Sequence, residues 1–511
     1  MQGASQSCHR NTDELRAASN LWSSAGLPAF YLEHLKLEQS PDIHLNSSFK
    51  LGNAAQTTIG LSGLSAALFH QLRTGTEQDV SVKARHAVIE FHSEAFYNLN
   101  GKPPGSIWDS IAGIYKTKDD GFVRLHTNFP HHRKGLLDIL GIEDTPEVTR
   151  NRVQEALLSW NALDFEEAAG NKGMCAFAVR SFEQWDATPM AKALRETLPV
   201  YIRKIGDAPK RVVDESLRGT LMHPLQGIKV LDLSRVLAGP VAGRTLAAHG
   251  ADVLLVTSPN LSDLPNLDVD TSRGKRTTQL DLNRSEDREK LTTLVGNADV
   301  FLQAYRPGGL EGKGFGVEQL VGMKGGRMHG IVCANLCAWG WEGPWKDRRG
   351  FDSLVQSATG LNIAEAEAHA EFIGPSKNTE RSLKPKPFPV QALDHVAGYL
   401  LAFGINAALC KTIIEGGSWE VCVSLAAVGQ WVRSLGRAKP EYAFGRAKPL
   451  PQPQSEEIRD LSVEWKQSNG SGRITAIRHA AIMSKTPVRH GREGEPGAPL
   501  VLNAHGPVWE V

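Results

Sequence analysis

Apolar residues in the second half of the chain alternate between strand-like and helix-like runs. From Gly227, GIKVLDLS is typical of a buried strand, AGPVAGRTLAAHGA of a turn and a helix, and DVLLVTSP of a second strand. A helix–strand pair over KLTTLVGNADVFLQAY and a further strand within GRMHGIVCANLCAWG follow. This order is typical of βαβ units, and it predicts an α/β fold with a Rossmann-like open parallel sheet covered by helices.

The first half shows a different pattern. A helical run begins at Gly52 and ends at Gly75, a residue that suits a helix end because it tolerates a left-handed backbone. DVSVKA predicts a short strand, and IYKTKDDGFVRLHTN predicts a β-hairpin that turns at Asp119-Asp120-Gly121. Residues 131–205 predict helices.

Three stretches lack such patterns. Residues 1–47 are interpreted as a variable leader with a few short helices. The stretch 206–225 is rich in charge, contains two prolines and is a predicted linker. Residues 364–390 are polar and Pro-rich, which favours a surface loop ahead of Asp394.

Composition narrows the class of protein. A chain of 511 residues, 41% hydrophobic and 22% charged, is long enough for two or more globular domains. A net charge of +1 gives no general attraction to nucleic acid or membrane, and no apolar run approaches the ~20 residues of a membrane span. The N-terminus has no signal-peptide pattern, and six scattered cysteines suit a reducing compartment, so a cytoplasmic location is expected. Cys333 and Cys337 have no second ligand pair at metal-binding spacing, so no metal site is expected.

The two halves also share a weak internal repeat. A shift of 341 positions lays the helix after Gly52 over the helix that contains Asp394, with Asn53 opposite Asp394. The alternative is two unrelated helices that are rich in small residues and end in glycine. Identical pairs in this register are Gly63/Gly404, Ala66/Ala407, Ala67/Ala408, Leu68/Leu409, Gly75/Gly416, Val80/Val421 and Val82/Val423.

Several motifs in order resemble the class III CoA-transferases, the CaiB/BaiF family, from Gly227 to about Gly416. They are LDLSRVLAGPVAGRTLAAHGADVLLV, SRGKRTTQLDL, NADVFLQAYRPGGLEGKGFG, GFDSLVQSATG and the helix containing Asp394. Residues 48–205 resemble a later part of the same family, its post-nucleophile helix and small domain.

The resemblance implies a domain plan. Residues 48–205 would be a partial, non-catalytic repeat with a smaller α+β domain, and 206–225 a linker. Residues 226–430 would be the CoA-binding and catalytic domain, closed by residues 431–511. The chain would therefore contain a partial internal duplication.

Asp394 is the candidate nucleophile. A carboxylate at the head of an apolar helix is costly unless something uses it, although a simple helix N-cap is the alternative. By resemblance, Asp394 attacks an acyl-CoA to form an aspartyl anhydride and then an aspartyl-CoA thioester, from which CoA passes to an acceptor carboxylic acid. The implied activity is that of a CoA-transferase that uses CoA as a substrate and needs no other cofactor.

CoA carries phosphates, so its site needs cationic groups and backbone N–H donors. The turn containing Arg235, Ala238 and Gly239 opens a helix directly after a strand. Arg273, Lys275 and Arg276 are expected in one exposed turn, where the alternative is a solvated run of charge. The residues that we expect to bind CoA are Arg235, Ala238 and Gly239 and, as the resemblance to the family implies, Arg273, Lys275, Arg276 and Arg349.

Two other functions stay open. The same fold hosts acyl-CoA racemases, which place a histidine where this chain has Phe351, and phenylalanine cannot transfer a proton. A non-catalytic CoA-binding protein is the second alternative, since Asn53 and Ala304 depart from the family pattern. Family members form interlocked dimers, so we expect a homodimer or an intrachain pseudo-dimer in which residues 48–205 cover the Asp394 site.

Overall fold

The computed structural model describes residues 13–214, 216, 219–323, 325–374, 383–467, 473–492 and 494–510. Strands in these ranges form one seven-stranded sheet and three three-stranded sheets. In chain order the strands are β1 Leu35–Leu37, β2 Val80–Val82, β3 Asn98–Leu99, β4 Gly113–Lys116, β5 Phe122–Leu125, β6 Ala176–Ala178, β7 Tyr201–Gly206, β8 Lys229–Leu233, β9 Asp252–Thr257, β10 Arg276–Gln279, β11 Val300–Gln303, β12 Val332–Cys337, β13 Ser418–Ser424, β14 Ser462–Trp465, β15 Ile474–Ile477 and β16 Ala481–Met483.

The helices cover both faces of the large sheet and build most of the first half. They are α1 Asp13–Ser24, α2 Leu51–Thr74, α3 Ala84–Glu90, α4 Pro130–Leu140, α5 Arg150–Leu157, α6 Ala162–Asn171, α7 Phe182–Asp186, α8 Pro189–Leu194, α9 Ala238–Ala248, α10 Pro265–Thr271, α11 Ser285–Gly296, α12 Val317–Gly322, α13 Asp352–Ala358, α14 Leu361–Ile373, α15 Ala392–Ile414, α16 Leu425–Ser434, α17 Pro440–Gly445 and α18 Glu456–Leu461.

The seven-stranded sheet has the order β10-β9-β8-β11-β12-β13-β7. Its first six strands are parallel, and β7 adds antiparallel to β13 at one edge. Parallel strands are buried on both faces, which explains the continuous apolar runs of the second half. The predicted α/β fold with an open parallel sheet is confirmed.

The smaller α+β unit is also present. The antiparallel strands β4, β5 and β6 pack with α4, α5 and α6 around an apolar core of their own. The β4–β5 hairpin turns as the sequence predicts, with Asp120 in the left-handed region at φ 58°.

Helices α2 and α15 form the centre of the molecule. Asn406 of α15 donates a 3.0 Å hydrogen bond to the Ser62 carbonyl of α2. A Cβ on Gly63 would lie 3.0 Å from Val80, and one on Gly404 would lie 2.5 Å from Val421. These two glycine–valine contacts occupy corresponding positions of the weak repeat, so the similarity of the two helices extends to how each packs on its following strand.

Two strands pair with strands from the other half of the chain. Strand β7 from the first half pairs with β13 of the second, while β16 near the C-terminus pairs with β2 of the first half. The two halves therefore share sheets as well as a helix interface.

Three sequence expectations need correction. The predicted linker from residue 206 is preceded by strand β7 rather than by a helix, since residues 201–206 complete the sheet edge. The first ten residues of the predicted surface loop 364–390 lie in helix α14, and residues 375–382 of that loop lie outside the described residues. Helix α15 is long and apolar enough to cross a membrane, contrary to the expectation that no such run exists, but 83% of its most apolar window is buried in the protein, as in a core helix.

Candidate active site

Asp394 lies in the first turn of α15, and its neighbour in space is a second carboxylate. The backbone N–H groups of Leu393 and Asp394 donate to Asp352 Oδ2 at 2.7 and 3.1 Å. Asp352 begins α13, is fully buried and satisfies the free N–H groups of the α15 N-terminus. Asp352, and not Asp394, therefore acts as the cap, which argues against the simple capping interpretation of Asp394.

The surroundings of the Asp394 carboxyl shift its pKa. Burial, followed by the nearby carboxylates of Asp352 and Glu94, raises its pKa well above the ordinary aspartate value. Burial likewise raises the pKa of Asp352 to about 7, against the opposing effect of its hydrogen bonds. Among the described residues, none donates a hydrogen bond to the Asp394 carboxylate. The Asp394 carboxyl therefore shares its surroundings with two other carboxylates, those of Asp352 and Glu94.

Asp394 lines a cavity of about 310 Å³, here called the inner chamber. Its walls come from both halves of the chain, with three aromatic or imidazole side chains from the first half. Of the residues predicted for the site, the structure brings Asp394, Arg235, Ala238, Gly239 and Arg349 together here. The other walls include Phe129, His131, His132, Val236, Ala304, Tyr305, Arg306, Cys337 and Phe351.

The turn between β8 and α9 packs closely against neighbouring side chains. A Cβ on Gly239 would lie 2.5 Å from Ser234 Cβ and 2.8 Å from Ala304 Cβ, so only glycine fits. Val236, two residues before α9, has a φ of 72°, which is rare for a β-branched residue. Such strain is often found at functional loops, and here it falls on a wall of the inner chamber.

The second predicted cationic group is placed elsewhere. Arg273, Lys275 and Arg276 are 3%, 0% and 5% exposed, and they pair with Asp270, Asp232 and Asp252 at 2.8, 2.8 and 3.0 Å. The expected exposed turn is therefore wrong, since each cation is buried against its own carboxylate.

Lys275 has a structural contact besides its ion pair. It donates to the Pro240 carbonyl at 2.9 Å, which fastens the start of α9 to the sheet. None of these three cations lines the inner chamber, so their predicted contact with CoA has no geometric support.

A larger cavity of about 600 Å³, here called the outer groove, adjoins the inner chamber. It lies where β8, β9, β10 and β11 end, the edge at which open parallel sheets bind ligands. The two cavities share Leu261, Tyr305 and Arg306 as wall residues. Polar residues of the outer groove, which the sequence did not single out as a set, are Thr257, Ser258, Asn260, Asp281, Asn283, Tyr305, Arg306, Lys313 and Asp347.

Three arginines around the inner chamber have no carboxylate partner among the described residues. Arg235 stacks over Phe129 at 5.1 Å and donates to the Ser262 carbonyl. Arg306 donates to the Asp347 carbonyl at 3.2 Å. Arg349 donates to imidazole nitrogens of His131, at 2.8 Å, and of His132. These guanidinium groups can accept an anionic ligand without first breaking an ion pair.

The histidines near Asp394 contact residues other than Asp394. His395 lies 3.1 Å from Glu94, and His126 stacks face to face on Phe351 with ring centres 3.9 Å apart. Phe351 thus fills an aromatic stack at the position where the racemase pattern has a histidine. Within the part of the chain that the structure describes, no group of three or more His, Cys, Asp or Glu is arranged to hold a metal ion.

Comparison with known proteins bears on the family. The model of "CoA-transferase family III" matches residues 225–493. The chain is 30% identical over 338 residues to the acetyl-coenzyme A transferase nodX of Hypoxylon pulicicidum. The aligned region covers 64% of this chain and 55% of the relative. It is 29% identical to an acyl-CoA transferase of Gibberella moniliformis over 72% of this chain and 68% of the relative.

A solved structure is also similar. The crystal structure of the hypothetical protein Rv3272 from Mycobacterium tuberculosis matches with 29% identity and a TM-score of 0.35, covering 42% of this chain and 57% of that chain. The chain spans little more than half the length of the nodX relative. The family model covers 269 of the 511 residues (493 minus 225, plus one), more than half of the sequence. The chain belongs to CoA-transferase family III.

Proposed function

We propose that this chain is a CoA-transferase that moves CoA from an acyl-CoA to a carboxylic acid, with Asp394 as the covalent nucleophile. The observation that carries the proposal is the position of Asp394 on the wall of a chamber that also contains three arginines for which no described residue provides a carboxylate partner. A carboxylate beside cationic groups suits a reaction in which every substrate and product is an anion.

The reaction balances without ATP or a redox partner. The Asp394 carboxylate attacks the thioester carbonyl, the C–S bond breaks, and CoA leaves as a thiolate. The thiolate then attacks the aspartyl carbonyl of the anhydride, which releases the donor acid and leaves an aspartyl-CoA thioester. The acceptor carboxylate attacks the aspartyl carbonyl of that thioester, the C–S bond breaks, and a second anhydride and the CoA thiolate form. The thiolate then attacks the acceptor carbonyl of this anhydride, which gives the new acyl-CoA and releases the Asp394 carboxylate.

The surroundings of Asp394 favour this chemistry. The raised pKa of its carboxyl makes the ionised form more basic, and therefore more nucleophilic, than an exposed aspartate. The same shift means that the proton must leave before attack, so we expect the reaction to be faster at higher pH.

We propose that the nucleotide part of CoA occupies the outer groove. Arg306 lines both cavities, and Lys313 lines the outer one, where its ammonium donates to Asn283 at 2.7 Å. The pantetheine arm would then pass Leu261 and Tyr305 to reach Asp394. This assignment keeps Arg235, Ala238 and Gly239 in the CoA site and moves the phosphate contacts from the buried cations at residues 273–276 to the outer groove.

The remaining expectations belong to this proposal. The two halves of the chain would act as an intrachain pseudo-dimer, in which the first half supplies Phe129, His131 and His132 to the chamber. No cofactor or metal beyond CoA is needed for the proposed steps. A cytoplasmic location stays a prediction from the sequence.

Intact-protein mass spectrometry tests the proposal. The purified chain is incubated with a panel of acyl-CoAs, and hydroxylamine is then added to cleave anhydrides and thioesters. We expect an acyl-sized or CoA-sized adduct that hydroxylamine removes and that Asp394→Asn abolishes.

The alternatives give different results. A racemase would exchange the α-proton of an acyl-CoA with solvent deuterium and form no adduct. A non-catalytic protein would bind CoA and form no adduct with any acyl-CoA donor. Either result would overturn the proposed transfer reaction.

A further inference from the structure

We infer that a third cavity, here called the side cavity, binds a monocarboxylic acid with an apolar body at a place separate from the cavities proposed for CoA. The side cavity has a volume of about 440 Å³. Arg124 of β5 would pair with the carboxylate, and Trp108 and Phe388 would contact the apolar body. The inference does not depend on the reaction proposed at Asp394.

The side cavity is distinct from the inner chamber and the outer groove. It lies between the smaller α+β unit, helix α13 and the segment that leads into α15. It shares no lining residue with the other two cavities, and Asp394 does not line it. An acid held in the side cavity is therefore not in contact with the proposed nucleophile.

Arg124 is a buried cation without a hydrogen-bond acceptor among the described residues. It is 9% exposed, and its Nε is fully enclosed and unpaired. Its Nη1 and Nη2 atoms are not enclosed in this way, so they are the atoms that a ligand in the cavity can reach. The guanidinium carbon lies 5.2 Å from the centre of the Trp108 ring.

The charge of Arg124 is only partly compensated. Burial lowers its pKa to about 10, so the guanidinium stays charged near neutral pH. The Asp352 carboxylate opposes this shift, but it forms no ion pair with Arg124. A buried cation is costly unless an anion or a hydrogen-bond acceptor compensates it, which points to a ligand that supplies one.

The other charges of the wall also favour an anion. Arg150 and Lys384 line the side cavity, and no described residue gives either of them a carboxylate partner. Glu94 is the one acidic residue among the described lining residues, and its side chain is 0% exposed. Its carboxylate already lies 3.3 Å from His92 and 3.1 Å from His395. Three cations therefore face the cavity against one acid that has its own partners.

The remaining wall favours an organic acid over an inorganic oxyanion. Trp108 and Ile114 come from the first half of the chain, and Pro387 and Phe388 from the segment ahead of α15. A cavity of about 440 Å³ has room for several carbon atoms beyond a carboxylate. A phosphate would leave these apolar walls in contact with water, whereas an apolar chain would cover them.

Titration calorimetry with four probes tests the inference on the full chain. Hexanoate is compared with hexanamide, which lacks the charge, with acetate, which lacks the chain, and with inorganic phosphate. We expect hexanoate to bind at least about tenfold tighter than each of the other three. The titrations are repeated with saturating CoA, which would displace an acid from the inner chamber but not from the side cavity.

Variants locate the site. Arg124→Gln should weaken hexanoate binding at least about tenfold, and Arg124→Lys should retain part of the affinity. Lys384→Gln changes an exposed residue of the same wall and should weaken hexanoate binding a few fold. The exposed control Arg152→Gln should bind hexanoate as wild type does, and all four variants should keep the CoA affinity of wild type.

Several results would overturn the inference. They are equal binding of hexanoate and hexanamide by wild type, tighter binding of phosphate than of hexanoate, displacement of hexanoate by CoA, and unchanged hexanoate binding by folded Arg124→Gln. Thermal unfolding identifies the folded variants, and if Arg124→Gln does not fold, the probe series on wild type and the exposed Lys384→Gln variant decide. Because only binding is measured, the outcome is independent of whether Asp394 forms an adduct.

Discussion

At the scale of single residues, the site depends on how two carboxylates share one small space. Asp352 is fixed by the backbone N–H groups of Leu393 and Asp394, which give it a structural role. Asp394 lacks such donors among the described residues and is destabilised as an anion by burial and by its acidic neighbours. The ionised carboxylate of Asp394, the proposed nucleophile, therefore lowers the stability of the folded protein.

This cost predicts how stability depends on pH. The pKa of Asp394 is raised in the folded protein, so above the ordinary aspartate pKa the unfolded chain binds fewer protons than the folded chain, and stability falls as pH rises. Asp394→Asn removes the ionisable group that causes this fall in stability. We expect the variant to melt a few degrees above wild type at pH 7.5 and to show a smaller gain at pH 4.5.

Differential scanning calorimetry at both pH values measures the effect. The matched control is Asp120→Asn on the exposed hairpin turn, where the side chain is 82% accessible. An equal gain for Asp394→Asn at the two pH values would show that its carboxyl is not destabilised by ionisation.

The residues of the site differ in how well the sequence identifies them. Asp394, Arg235 and Gly239 lie in local motifs, so a short stretch of chain is enough to predict their neighbourhood. The pairing of Arg349 with His131 joins residues 218 positions apart, which no local pattern contains. Likewise the charge at Lys275 suggests exposure until its burial against Asp232, 43 positions away, is known.

At the scale of elements, the site depends on close contact between α15 and α9. A Cβ on Gly398, one turn beyond Asp394, would lie 2.6 Å from the Ala238 carbonyl oxygen and 2.8 Å from Val241. Only glycine lets the two helices approach this closely. The contact sets the position of Asp394 relative to the β8–α9 turn.

Gly398→Ala therefore tests the helix contact. The added methyl group meets a backbone atom that cannot rotate away, so we expect a loss of about 1–3 kcal/mol in the free energy of unfolding and slower formation of the Asp394 adduct. Gly429→Ala in α16 is the control, because its Cβ would lie 3.6 Å or more from neighbouring side chains. Urea unfolding and the rate of adduct formation measure both variants, and equal behaviour of the two would contradict the helix-contact argument.

The parallel strands and their helices were predictable because each carries a local apolar period. Strand β7 was not, because none of its six residues is buried and its pairing partner β13 lies far along the chain. Edge strands bury little side-chain surface, so their periodicity is weak. Helix α14 was missed for a related reason, since alanines and glutamates there obscure the apolar face in a stretch rich in charge.

At the scale of the whole molecule, the two halves are interlocked. Helices α2 and α15 pack together, β7 extends the sheet of the second half, and β16 extends the small sheet of the first half. The inner chamber has walls from both halves. The chain that connects them after β7 is therefore not what holds them together.

A single cut in the connecting chain should leave the protein assembled and active. Val212 is 87% exposed, while Arg211 is fixed by hydrogen bonds to Thr412 and Asp299, so a protease site inserted after Val212 is accessible without disturbing the packed segment. We expect the cut halves to co-elute in gel filtration, also in 1 M salt, because shared strands and buried apolar helices hold them rather than exposed ion pairs. The cut protein should still form the Asp394 adduct at the rate of the uncut protein. Separation of the halves, or loss of the adduct with the halves still together, would mean that the covalent connection itself maintains the chamber.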